Sequence, residues 1–386
     1  MAIKVMSIFG TRPEAIKMAP LVQHLGQTEG IESLCCVTAQ HRQMLDSVLE
    51  SFQITPDYDL NIMQPNQTLA SIISRTLQGM ESVFQQAKPD LVLVHGDTTT
   101  TLAGALAAML HQIPVGHVEA GLRTYDKASP FPEELNRTLV GDIAQLHFSP
   151  TRANAENLKK EAVTGDIFIT GNTVIDAMQT TVRPDFVFQN ELLNQLDYRK
   201  PVIVMTCHRR ENYGEPMAAI MQAVRRLAQA HPEVCIVYPV HLSPVVRECA
   251  FGHLQGLDNV HLIDPLDVEQ MHNLIARCSF VMTDSGGLQE EAPAMGKPVL
   301  VLRRETERPE AVQAGTVALA GVDEAQVFRM AEQLLTDPAA YARMAHAVNP
   351  YGDGHACERI AQAIAWRFGL TAERPADFVP AQSTGA

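Results

Sequence analysis

The chain is 386 residues long, with 46% hydrophobic and 19% charged residues, which is ordinary for a globular protein and enough for two domains with full cores. Its 30 basic residues stand against 44 acidic ones, a net charge of −14. That balance excludes a nucleic-acid surface but leaves room for a small anion in a local basic site. Seven cysteines, an odd number with no CxxC pair, fit reduced thiols rather than a disulfide framework or a zinc site, so no metal is expected. No apolar run reaches the length of a membrane span. The charged residues Lys4, Arg12, Glu14 and Lys17 so near the start argue against a signal peptide, and a cytoplasmic location is expected.

In chain order, residues 3–9 read as a first strand, and Gly10-Thr11-Arg12-Pro13-Glu14 as a turn into a helix, with Pro13 in the first helical turn. Lys17 lies one turn further on, so Arg12 and Lys17 read either as a phosphate clamp or as a solvated helix start. Residues 34–38 form a second strand. The polar run Gln40-His41-Arg42-Gln43 opens the next helix. A long amphipathic helix over 68–87 leads to an apolar strand at 91–94, which ends in His95-Gly96-Asp97 and four threonines. Polar residues at the C-terminal end of a parallel strand are where α/β sheets bind ligands, although the threonines also suit a helix cap and Asp97 a turn. The next strand, 115–118, ends at Glu119, so two carboxylates from successive strands should converge. Pro132 starts a helix that sets Glu133 and Arg137 at i and i+4, a spacing shared with common surface ion pairs.

Residues 183–200 are polar and irregular and read as a domain linker. The predicted domains are residues 1–182 and 183–355, with a last helix at 356–370 packing back on the first and a disordered tail over 371–386. A strand at 202–206 restarts the alternation and is followed by Cys207-His208-Arg209-Arg210-Glu211-Asn212. The strand at 235–240 ends at His241. Residues 280–282, Ser285-Gly286-Gly287 and 288–295 read as strand, turn and helix, an arrangement that presents unpaired backbone N–H groups to an anion. Glu290 and Glu291 sit where a carboxylate can accept ribose hydroxyls, and Arg303, Arg304 and Arg308 follow the next strand. The fold class expected is α/β, two doubly wound Rossmann-like parallel sheets facing a cleft. No GxGxxG follows any predicted strand, so no nicotinamide cofactor is expected.

Together, GTRPEAIK (10–17), HGDTTTT (95–101), HVEAGLRT (117–124), PFPEELNR (130–137), CHRREN (207–212), TDSGG with QEEAP (283–293) and TERPE (306–310) resemble the non-hydrolysing UDP-N-acetylglucosamine 2-epimerases over roughly residues 3–370. The resemblance implies a GT-B-type fold, a cytoplasmic homodimer, and interconversion of UDP-GlcNAc and UDP-ManNAc for bacterial surface polysaccharides. It implies that Arg12, Ser285, Gly286, Gly287, Glu291 and Arg308 hold UDP, and that Lys17, Asp97, Glu119, Glu133, Arg137 and His208 line the reacting sugar and diphosphate. Met271 stands where relatives often carry an aromatic residue beside the uracil, so thioether packing replaces stacking there. The resemblance also implies a second, activating UDP-GlcNAc at Gln40, Gln43, Glu133, Arg209 and His241, with Asn66 where an arginine is usual.

Inverting C2, which has no neighbouring carbonyl, calls for departure of the anomeric diphosphate as C2–H is lost, giving a 2-acetamidoglucal and UDP. On this reading Arg12, Lys17 and His208 stabilise the leaving diphosphate. Asp97 and Glu119 lie nearest C2 or its hydroxyl neighbours, and Glu133 pairs with Arg137. A hydrolysing 2-epimerase, a GT-B glycosyltransferase using a UDP-sugar, and a non-catalytic nucleotide-sugar sensor are the alternatives.

Overall fold

A computed structural model describes residues 2–128 and 130–381. The chain forms two compact units, one running to Thr180 and including Tyr351–Val379, the other Thr181–Pro350.

The first unit is built from β1 (Ile3–Phe9), α1 (Arg12–Gln27), β2 (Ile31–Val37), α2 (Arg42–Ser51), β3 (Tyr58–Asp59), α3 (Leu69–Ala87), β4 (Leu91–His95), α4 (Thr99–Leu110), β5 (Val115–Val118), α5 (Glu133–Ile143), β6 (Leu146–Ser149), α6 (Arg152–Lys160), β7 (Asp166–Ile169) and α7 (Thr173–Thr181). The seven strands are hydrogen-bonded in the order β3-β2-β1-β4-β5-β6-β7, every pair parallel. Runs such as LVLVH in β4 are buried along their whole length, as a parallel sheet covered on both faces requires. Met6, Ile8, Val92, Val94 and Phe84 form the core between sheet and helices.

The second unit follows with α8 (Glu191–Gln195), β8 (Val202–Thr206), α9 (Glu215–Ala230), β9 (Cys235–Pro239), α10 (Pro244–Leu254), β10 (Val260–Ile263), α11 (Val268–Arg277), β11 (Phe280–Thr283), α12 (Leu288–Ala294), β12 (Val299–Val301), α13 (Pro309–Ala314), β13 (Val317–Leu319), α14 (Glu324–Thr336) and α15 (Pro338–Ala345). Its six strands run β10-β9-β8-β11-β12-β13, again all parallel. The last helix, α16 (Ala356–Arg367), belongs to the first unit and lies against α1.

Both sheets wind outward in two directions from their first strand. The strand order therefore reverses between β1 and β4 in one unit and between β8 and β11 in the other. Loops leaving the C-terminal ends of the strands at such a reversal splay apart and leave a crevice. The loops at these positions are 10–11 and 96–98 in the first unit, and 207–214 and 284–287 in the second.

Two expectations are corrected. Residues 183–200 are folded into the second unit and are not a loose linker. Phe188 is 2% exposed and Leu193 fully buried. The Arg277 guanidinium covers the Phe188 ring at 4.9 Å and donates to the Phe186 carbonyl at 2.7 Å. Aromatic residues among polar ones gave this stretch a surface to bury. The disordered tail expected over 371–386 is likewise ordered in its first part. Phe378 is buried, its N–H donates to the Ile169 carbonyl at 2.7 Å, and Asp377 accepts from the Ile169 N–H at 2.9 Å. These bonds tie the segment to the edge strand β7, which would otherwise present unpaired backbone groups. Residues 382–386 lie outside the described residues.

Candidate active site

In the first unit the crevice is organised on a buried carboxylate. Glu14 is the third residue of α1, just after the turn that follows β1, where its Oε2 accepts from the Gly10 and Thr11 N–H groups at 3.1 and 2.8 Å and from the Thr11 hydroxyl at 2.7 Å. Its Oε1 accepts from the Thr98 and Thr101 hydroxyls at 2.8 and 3.1 Å. Burial pushes its carboxyl above the usual carboxylate range, and these hydrogen bonds pull the other way. Glu14 thus ties the loop after β1 to the loop after β4. The approach leaves no room for a side chain at Gly10, where a Cβ would stand 1.9 Å from the Thr38 hydroxyl.

Asp97 and Glu119 sit at the ends of the adjacent strands β4 and β5, each against a cation. Arg137 reaches from α5 to Asp97 in a part-buried ion pair, and Lys17 reaches from α1 to Glu119 in another. Glu119 has φ +63°, a left-handed conformation uncommon for a non-glycine residue and often found at functional sites. Its Oε2 also accepts from the Asn172 amide at 3.1 Å and lies 3.7 Å from His95 Nε2, beyond hydrogen-bond reach. Burial pushes His95 down to about 4, so the ring beside Glu119 is neutral at pH 7.

The expected Glu133–Arg137 pair is corrected. Arg137 instead meets Asp97 and, at 3.3 Å, Glu134 Oε2 on its own helix. Glu134 is 1% exposed and also accepts from the Tyr125 N–H at 2.8 Å. A buried carboxylate attracts the guanidinium more strongly than the half-buried Glu133, whose i,i+4 pairing would be worth only a few tenths of a kcal/mol, roughly, on a surface.

In the second unit, β11 ends at Thr283 and the chain turns through Asp284-Ser285-Gly286-Gly287 into α12. The N–H groups of Gly286, Gly287 and Leu288 precede the first helical hydrogen bond, Gln289 to the Gly286 carbonyl at 3.2 Å. The Arg308 guanidinium lies over this turn. A Cβ on Gly286 would stand 2.5 Å from its Nη1. Glu290, 1% exposed, accepts from Arg308 Nε at 2.6 Å, and Glu307 Oε1 accepts from Nη1 at 3.0 Å. Glu290 is therefore engaged in placing a cation. Glu307 is half-buried, which would raise it, but Arg308 and Arg303 hold it down at about 2.

His208, just after β8, stacks on His241 after β9 at 5.3 Å between ring centroids. Arg209 Nη2 lies 3.9 Å from Glu307. Met271 is half-buried on α11, two turns before the start of β11. Gln40 accepts from the Thr100 hydroxyl at 2.9 Å, while Gln43 and Asn66 are exposed. Arg12 stands half-buried at the first position of α1.

Sequence reasoning missed four groups that hold the named ones. Glu14 and Asn172 position the first-unit loops. Asp284 anchors the loop after β8. His272, 1% exposed, lies 3.4 Å from Glu291 through Nε2 while its Nδ1 meets the Thr181 hydroxyl at 2.7 Å. Glu14 and Asp284 carried a signal, an acidic residue inside a strand-end motif. Asn172 and His272 carried none, because their partners are distant in sequence.

Two Rossmann-type parallel sheets in one chain, each with its ionic loops at the strand-order reversal, define the GT-B fold class. The family profile for UDP-N-acetylglucosamine 2-epimerase matches residues 23–365. The UDP-N-acetylglucosamine 2-epimerase of Bacillus subtilis is 57% identical over 377 residues, which cover 97% of this chain and 98% of that one. Among solved structures, the Staphylococcus aureus MnaA–UDP complex shares 50% identity at a TM-score of 0.89, covering 98% of this chain and 100% of that one. The Neisseria meningitidis UDP-GlcNAc 2-epimerase bound to UDP-GlcNAc shares 46% at 0.87, covering 94% and 99%. The chain belongs to the UDP-N-acetylglucosamine 2-epimerase family and is an enzyme of it. Among the described residues no helix is long and apolar enough to cross a membrane.

Proposed function

We propose that the protein interconverts UDP-GlcNAc and UDP-ManNAc by eliminating UDP and adding it back. The observation that carries this reading is the pair of carboxylates, Asp97 and Glu119, at neighbouring strand ends, each held against its own cation. In the elimination the C2–H electron pair forms the C1–C2 double bond, its proton passes to a carboxylate, and the C1–O bond breaks with its pair on UDP. The product is a 2-acetamidoglucal. Protonation at the opposite face of C2, with return of the diphosphate to C1, gives the epimer. Two faces call for more than one acid/base group or for an intermediate that moves in the site, and Asp97, Glu119 and the half-buried Glu133 supply three candidate groups. Arg12, Lys17, Arg137 and His208 offset charge on the diphosphate and the reacting sugar. UDP is held by Ser285, Gly286, Gly287 and Arg308 at the phosphates, Glu291 at the ribose and Met271 at the uracil, a reading supported by the UDP complex of the S. aureus relative. No metal or nicotinamide enters these steps.

The test is an NMR time course in D₂O with UDP-GlcNAc and no acceptor. Deuterium should appear at C2 of UDP-ManNAc with no free ManNAc. A product carrying only protium at C2 sinks the elimination. Accumulating free ManNAc would indicate the hydrolysing reaction, and no turnover without an acceptor a glycosyltransferase.

We further propose that the enzyme acts as a cytoplasmic homodimer that supplies surface polysaccharide synthesis, with a solution mass twice that of one chain. A second UDP-GlcNAc at Gln40, Gln43, Glu133, Arg209 and His241 activates it. Epimerisation of UDP-ManNAc alone should then show a lag that added UDP-GlcNAc abolishes; hyperbolic progress without a lag removes this second site.

A further inference from the structure

Asp284 is fully buried, yet the family reading gives it no task. Its Oδ2 accepts from the His208 and Arg209 N–H groups, both at 2.8 Å, and from the Asn212 side chain at 3.1 Å. Asn212 is itself fixed by donating to the Leu302 carbonyl at 3.0 Å. One carboxylate oxygen thus has three donors. The other, Oδ1, has no hydrogen-bond partner among the described residues and faces His208 Nδ1 at 3.6 Å. A buried carboxylate oxygen with nothing to accept is costly; the Cys207 thiol also lies beside this carboxylate, and the imidazole is the group that Oδ1 faces. The His208 backbone is clamped by the same carboxylate and its ring stacks on His241, and the two contacts together keep the ring beside its anchor.

We propose that Asp284 is the positioning residue for His208: from 3.6 Å, just outside hydrogen-bond distance, its negative charge favours the proton on Nδ1 and, when an anionic diphosphate arrives, stabilises the imidazolium that presents Nε2–H to it. In the free protein the neutral ring is favoured. Burial lowers its affinity for a proton, with His241 and Arg209 acting in the same direction and Asp284 against them. A diphosphate adds negative charge on the Nε2 side, and His208 takes one proton from solvent. The ring then bridges two anions, Asp284 through Nδ1–H and the diphosphate through Nε2–H. The same logic orients catalytic histidines elsewhere, where the carboxylate fixes the tautomer without itself taking the proton. The inference rests on the reading that UDP lies at the Ser285-Gly286-Gly287 turn.

The test begins with nitrogen-15 NMR of the wild-type protein, the His208 signals being assigned by their loss in His208→Asn. The free protein should show the neutral Nδ1–H tautomer, and saturating UDP should protonate both nitrogens. An Nε2–H tautomer in the free protein, or a neutral ring with UDP bound, overturns the proposal. In Asp284→Asn the oxygen that serves the two backbone N–H groups is retained, while an amide N–H replaces the acceptor facing Nδ1. That variant should lose the Nδ1–H tautomer, with kcat down about 100-fold and KM changed only a few-fold. Placed in a His208→Asn background, Asp284→Asn should cost less than about threefold more, because two groups acting as one unit are not additive. Multiplying losses would mean a purely structural role and overturn the proposal. The tautomer read in the free wild-type protein depends on neither UDP nor turnover, so it separates failure of this dyad from failure of the functional reading.

Discussion

Gly286→Val should abolish measurable UDP binding while leaving the second unit folded. The turn presents the Gly286, Gly287 and Leu288 N–H groups ahead of the first helical bond, and the Arg308 guanidinium lies against the Gly286 Cα. A Cβ there would stand 2.5 Å from Arg308 Nη1 and 2.9 Å from its Cζ. The contact is with the end of a long side chain, so Arg308 can move aside and the backbone need not. Moving it pulls the guanidinium off the turn that Glu290 and Glu307 now hold it against. The valine methyls also occupy the space a phosphate needs to reach the backbone. Losing one charge-assisted hydrogen bond costs about 1.5–3 kcal/mol. Two such losses weaken binding at least about 100-fold, taking roughly 1.4 kcal/mol for each tenfold. Titration calorimetry with UDP reads the affinity, and a thermal melt confirms the fold. An unchanged affinity would remove the phosphates from this stretch.

What could be read from the sequence is what adjacent residues and strand ends dictate. Apolar runs closed by polar clusters marked β1, β4, β5, β8 and β11, and their clusters were the loops that the strand order places at its two reversals. The sequence could not show that both sheets reverse at the same point of their winding, because strand order is a property of pairing between distant segments. Partner choice was hidden for the same reason. Glu133 and Arg137 have the spacing of a helical ion pair, but the guanidinium turned to Asp97, some forty positions earlier in the chain, and to Glu134. Composition misled at 183–200 and 371–381. Polar residues dominate both stretches, yet a few aromatic side chains, Phe188 and Phe378 among them, were sufficient to anchor them. The supporting groups Asn172 and His272 sit among residues with no motif around them.

Asp97→Asn and Glu119→Gln should each lower kcat for epimerisation about 100- to 10,000-fold, the range that a positioned acid/base group contributes, with UDP affinity within a few-fold of wild type. Both substitutions keep shape and remove only the negative charge and the capacity to take a proton. Each leaves a cation without its carboxylate, but neither cation is stranded. Arg137 retains Glu134 at 3.3 Å, and Lys17 remains part-exposed, with 12% of its side chain accessible. The fold should therefore persist, and melting temperatures near that of wild type would confirm that lost turnover is lost chemistry. The two variants also separate the two faces of C2. If each carboxylate serves one face, one variant keeps exchange of the C2 hydrogen of UDP-GlcNAc with D₂O and loses that of UDP-ManNAc, and the other shows the reverse. Both stop net epimerisation, because each conversion takes a proton from one face of C2 and delivers one to the other. A variant that still completes the elimination but cannot reprotonate the intermediate should release UDP and glycal slowly into solution. Turnover within tenfold of wild type in either variant would take that carboxylate out of the proton transfer. With Asp97 removed in this way, the ion pair to Arg137 would be left as a structural clamp, and Glu133, on the same helix as Arg137 and half-buried, would be the next carboxylate to substitute.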